Sequence, residues 1–207
     1  MLELVWMILL GALAGALLIF PVRLLCSLLL KRRKQETAMT RRQTILLASC
    51  LAVSGGVIVW RAGVSFLTLY LFLLLLDAAC VAYIDASVRL IPNELVLAVI
   101  ALAALFGILG VTRFQIWSSL LGLVVSFVVF FLPSVLKQKI GAGDVKFAAA
   151  MGFALGLTNS LYAIACMGAL VLVYLAAERM LSLPTNLKTM IPMGPFLAAA
   201  LVIVSVL

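Results

Sequence analysis

Histidine is absent from this 207-residue chain, and acids are scarce, with 7 Asp or Glu against 15 Lys or Arg. Without imidazole there is no Ser-His-Asp triad, no histidine general base and no ordinary zinc hydrolase site. Acid-base chemistry is left to Asp, Glu, Lys, Tyr or Cys. The four cysteines, Cys26, Cys50, Cys80 and Cys166, are far apart and sit in apolar runs, so no CxxC pair offers metal or redox chemistry. They read as small buried core residues. Charge of either sign is rare, at 11% of residues.

What is present is apolar. Hydrophobic residues make up 67% of the chain and the mean hydropathy is +1.34, whereas a soluble domain is about half apolar. The composition predicts a polytopic membrane protein. Long unbroken apolar runs select helices over a barrel, because lipid offers no partner to an open backbone. The fold class expected is therefore all-α. Eight apolar segments are found: 4–30, 44–60, 64–84, 95–111, 116–136, 145–157, 162–177 and 191–207. The first is broken by Pro21 and Arg23, predicting a crossing to about Phe20 and a continuation along the interface. It lacks the basic residues that precede the apolar stretch of a cleavable signal. The sixth, at 13 residues, spans roughly 20 Å and is expected to be short or partly re-entrant. Within it Ala148, Gly152 and Gly156 form a small-residue stripe, and Gly11 and Gly15 form a GxxxG in the first segment; both read as helix packing.

Alternating the segments across a bilayer gathers 13 basic residues on one side: Arg23, Lys31, Arg32, Arg33, Lys34, Arg41, Arg42, Arg89, Lys137, Lys139, Lys146, Arg179 and Lys188. Only Arg61 and Arg113 fall on the other. The positive-inside rule makes the crowded side cytoplasmic and places both termini outside the cytoplasm. The net charge of +8 is thus topological, and no nucleic-acid partner is expected. Membrane lipids are.

Glu3, Glu36, Glu94 and Glu178 lie in loops or at segment ends, where a carboxylate stays hydrated. Asp77 lies inside a segment, eight residues before Asp85, about 12 Å deeper and roughly 80° round a helix. It is either a hydrogen-bonded packing residue or a candidate intramembrane polar role. Asp85 ends a segment, and Asp144, 59 residues later, begins one after Gly141-Ala142-Gly143. Both occupy the cytoplasmic border. Two carboxyl groups meeting there cannot easily both ionise, so they share a proton. One then activates water while the other polarises a carbonyl, with no need of histidine or metal. Gly141 and Gly143 lack the Cβ that would keep an extended substrate strand away. The structural alternative is two interfacial carboxylates that neutralise Arg89 and Lys146. Lys146 itself either tunes Asp144 or anchors at the lipid surface.

Three stretches resemble the type IV prepilin peptidases, bacterial intramembrane aspartic proteases with a GxGD signature. They are Tyr83-Ile84-Asp85 with Leu90-Ile91-Pro92-Asn93, then Gly141-Ala142-Gly143-Asp144-Val145-Lys146, then Ile191-Pro192-Met193-Gly194-Pro195-Phe196. The resemblance runs from about Val64 to Leu207 and implies a peptidase core over 63–207, with 1–62 as an amino-terminal two-helix region. It implies that Asp85 and Asp144 are catalytic, supported by Gly141, Gly143, Lys146, Pro92 and Asn93. It further implies removal, after a Gly, of the basic leader of type IV prepilins or pseudopilins at the inner face of the bacterial cytoplasmic membrane. Because that face of this protein is itself basic, anionic lipid is the expected partner of the leader. Bifunctional members carry a cytoplasmic insert, often with two CxxC pairs, associated with methylation by S-adenosylmethionine. Here the loop is only 31–43 and has no cysteine, so a peptidase with no cofactor and no methyltransferase activity is expected. Two other classes fit less well. A proton-coupled transporter would use Asp77, Asp85 and Asp144 as a relay, with acids spread through the membrane and an internal repeat. No repeat is seen, and two of the three acids share one face. A non-catalytic scaffold of a secretion assembly is the other. The sequence leaves the oligomeric state open.

Overall fold

A computed structural model describes residues 2–35, 38–135, 141–180 and 192–207. Glu36, Lys137, Lys139, Lys188 and Ile191, named above, lie outside the described residues. Those described are helical, with no strand: α1 (Leu2–Leu17), α2 (Ile19–Arg32), α3 (Arg41–Ala62), α4 (Phe66–Val88), α5 (Asn93–Ile108), α6 (Ile116–Val135), α7 (Ala142–Met180) and α8 (Gly194–Val206).

The boundaries follow local chemistry. Pro21 has no N–H for the Leu17 carbonyl, so the first run breaks at Leu18, a turn before the proline rather than at Phe20. α3 starts at Arg41, earlier than its apolar run, because Thr40 and Gln43 form a capping box: Gln43 N–H donates to Thr40 Oγ1 at 3.3 Å and Thr40 N–H to Gln43 Oε1 at 3.0 Å. Ser65 accepts the Thr68 N–H and starts α4, which ends where Arg89 turns left-handed at φ 53°.

Five stretches are long and apolar enough to cross a membrane: Glu3–Arg32, Arg41–Ala62, Phe66–Val88, Ile116–Val135 and Ala142–Met180. α5 and α8 are shorter apolar helices. Five helical stretches are thus long enough to cross, and the expected count of eight segments is not confirmed. The difference lies in α5 and α8, which are shorter, and in α7, which contains both the sixth and seventh apolar segments. α7 is interrupted at Gly156 alone, at φ 74°, ψ 176°, a conformation open to glycine. Around Gly156 the chain lines a cavity with Leu67 of α4 and Ser205 of α8. At its far end Tyr174 packs edge-on against Phe196, near the start of α8, with ring centroids 5.5 Å apart. The short sixth segment is thus the outgoing arm of a helix that turns back at Gly156.

Small residues set the closest packing. Gly11 and Gly15 of α1 meet Gly55 of α3, and Gly122 of α6 meets Gly152 of α7, with no room for a Cβ at any of them. Outer faces are apolar and exposed, as at Trp6, Phe20 and Leu172, the surface that lipid rather than water would cover. α4 is the most enclosed element, packed by α2, α3, α5 and α8. The carboxyl end of α4 and the amino ends of α5, α7 and α8 meet at one end of the bundle.

Candidate active site

Asp85 occupies the last turn of α4 and is buried, 5% exposed. Its Oδ2 accepts a hydrogen bond from the backbone N–H of Gly194, 2.8 Å away at the start of α8. That donor fixes which oxygen of Asp85 is occupied and leaves Oδ1 for another partner. Gly194 has to be glycine for this approach, since a Cβ would stand 2.6 Å from Asp85 Cβ. Sequence reasoning gave Gly194 no role at the site, although it lies in the third resembling stretch.

Asp144 begins α7 and is half-buried. Its backbone N–H donates to the Gly141 carbonyl at 3.0 Å, which closes the glycine turn. Its Oδ1 is buried with no hydrogen-bond partner among the described residues. Such an oxygen costs about 1–3 kcal/mol unless a proton, water or ligand group reaches it. Asp144 also lies within electrostatic range of Asp85.

The loop residues assemble around Asp144. Gly143 packs against Ile91, whose Cβ would be 3.2 Å from a Cβ at that glycine. Pro92 is buried beside it, and Lys146 Nζ donates to Asn93 Oδ1 at 3.2 Å. The Ile-Pro-Asn segment and the glycine turn thus form one unit. Two expectations change here. The face of Gly143 is taken by Ile91 rather than left open to a substrate strand, while Gly141 stays exposed. Lys146 is bonded to Asn93 rather than to Asp144.

Neither acid is in an ion pair among the described residues, although Arg89 lies within electrostatic range of Asp85. Among the described residues the one ion pair is Arg33 with Glu94, 3.2 Å apart, joining the end of α2 to the start of α5. The exposed Glu94 carboxyl is held below the usual carboxylate range, first by its own backbone N–H and then by Arg33. Asp77 stays apart from this site. It is buried within α4, and its Oδ2 has no partner among the described residues.

A model of the type IV leader peptidase family matches residues 69–176, just over half the chain. The protein belongs to the type IV leader peptidase family. The matched stretch contains Asp85, Pro92, Asn93, Gly141, Gly143, Asp144 and Lys146, whereas Gly194 lies beyond it. No curated protein and no solved structure matches the chain.

Proposed function

We propose that this leader peptidase is an aspartic endopeptidase that cuts the basic leader from type IV prepilins or pseudopilins, with Asp85 and Asp144 as its catalytic pair. The observation that carries this reading is the buried, unpartnered Oδ1 of Asp144 within electrostatic range of Asp85. One carboxylate takes a proton from water as the water attacks the scissile carbonyl. The other, protonated, donates a hydrogen bond to the carbonyl oxygen, and the proton taken from water then passes to the leaving amine. Gly194 orients Asp85, and the Asn93–Lys146 bond holds the glycine turn that carries Asp144. The reaction calls on no metal, and S-adenosylmethionine has no part in it.

The reading includes the topology argued from charge: an inner-membrane protein with the pair at the cytoplasmic face, both termini outside and 63–207 as the catalytic core. A prepilin with its apolar helix in the bilayer and its leader inside would present the scissile bond at that depth. The transporter alternative needs a relay through Asp77, yet its Oδ2 has no partner among the described residues.

Co-expression with a prepilin, followed by mass spectrometry of the pilin, tests the proposal. Leader loss with wild type and at least about 1,000-fold slower cleavage with Asp85→Asn or Asp144→Asn is expected for a pair that acts as a unit. Wild-type processing by either variant would falsify the assignment. The same spectrum reports methylation of the new amino terminus, and none is expected.

A further inference from the structure

A cavity bounded by described residues lies at the other end of the bundle. It holds about 480 Å³ and its wall is mixed, with Arg113, Gln115, Ser118, Ser119, Thr158 and Asn159 on its polar part. Tyr70 of α4 also borders it, 15 residues before Asp85, or roughly 22 Å along the helix. It is therefore separate from the aspartate site.

No acid among the described residues lines this cavity. Arg113 is its one formal charge, and that residue has no ion pair among the described residues. The two arms of α7 bring helix ends of opposite sign to Gly156, so their dipoles offset and Arg113 sets the sign. Ser118 Oγ is engaged, accepting the Leu157 N–H at 3.1 Å. Ser119 lines the cavity as well and is 3% exposed. A buried hydroxyl and the guanidinium of the exposed Arg113 thus line one cavity, a combination that suits an oxyanion. The neighbouring surface is apolar, with Ile108 83% and Trp117 73% exposed. A cationic, hydroxyl-lined recess with an apolar and aromatic surround fits an amphiphile with an anionic head.

We propose that this cavity seats the phosphate of an anionic phospholipid from the leaflet opposite the aspartate pair, with Arg113 as counter-charge and Ser119 and Asn159 as hydrogen-bond partners. A free phosphate ion would make the same polar contacts but leave the apolar surround unused.

The test uses the full chain in nanodiscs of phosphatidylglycerol or phosphatidylcholine, released into mild detergent, with retained lipid counted by native mass spectrometry. Wild type should retain phosphatidylglycerol about tenfold better than phosphatidylcholine, the effect of one charge-assisted contact. Arg113→Gln should erase that preference and Ser119→Ala reduce it. Arg42→Gln, which removes the same charge from an exposed site at the other end, should leave it unchanged. Equal retention of the two lipids, or full preference in Arg113→Gln, overturns the proposal. If Arg113→Gln fails to fold, Ser119→Ala decides, and an unreduced preference there overturns it. Displacement of phosphatidylglycerol by millimolar inorganic phosphate reassigns the cavity to a soluble ion and overturns the lipid source. Prepilin cleavage does not enter the readout, so this result stands or falls apart from the peptidase assignment.

Discussion

Two of the regions where glycine makes close contacts differ in what the glycine touches. Between α1 and α3 it brings backbone to backbone: a Cβ on Gly11 would stand 2.7 Å from the Gly55 carbonyl oxygen, and one on Gly55 2.9 Å from Gly15 Cα. At the start of α8, Gly194 instead brings a backbone N–H to a buried carboxyl group, where a Cβ would meet Asp85 Oδ2 at 2.7 Å. The first region uses the missing side chain to hold two helices together. The second uses it to aim a reacting group. Spacing in the sequence makes the first visible and says nothing of the second, because the partner of Gly194 is 109 residues away.

Alanine at each position separates the two uses. The largest effect is expected from Gly194→Ala, which has to push Asp85 aside or lose its N–H donor. Misplacing a catalytic group by about 1 Å costs roughly 100-fold, so prepilin cleavage per folded molecule should fall by that order while helix content stays near wild type. Cleavage at the wild-type rate would show that Gly194 does not position Asp85. Gly15→Ala should do the reverse. Its Cβ meets the Leu51 carbonyl, and overpacking of this kind costs about 1–3 kcal/mol. The expected result is a lower melting temperature with an unchanged rate per folded molecule. A slowed rate with unchanged stability would tie α1 to the reaction and erase the contrast.

The helical class was legible in the apolar runs, and the two aspartates stood out because so few acids interrupt them. Their ends of α4 and α7 follow from where the runs meet charge. Other features depend on geometry that runs do not encode. Pro21 acts on the carbonyl four residues back, so the break it causes falls at Leu18. The reversal of α7 needs no polar loop because Gly156 alone adopts φ 74°, which leaves two short segments as one helix. Thr40 and Gln43 carried a local signal for the start of α3, masked by an apolar run that begins later. The Gly194–Asp85 and Lys146–Asn93 contacts join residues distant in the chain, and spacing cannot pair them.

The smallest effect sharpens the comparison from a third side, where the aspartate's turn is held by polar side chains instead of glycine packing. Lys146 Nζ and Asn93 Oδ1 are 3.2 Å apart and exposed, so their bond is worth about 0.5–1.5 kcal/mol at most. Asn93→Ala should slow cleavage by no more than about tenfold. Asn93→Asp keeps an acceptor for the ammonium and should recover most of the rate, whereas Lys146→Met should match Asn93→Ala and the double variant should be no worse than either. That non-additivity is the signature of one shared contact acting through the turn. If Asn93→Ala instead fell as far as Asp144→Asn, and Asn93→Asp failed to rescue it, Asn93 would belong with the reacting groups. The division between residues that hold the turn and residues that meet the substrate would then have to be redrawn around it.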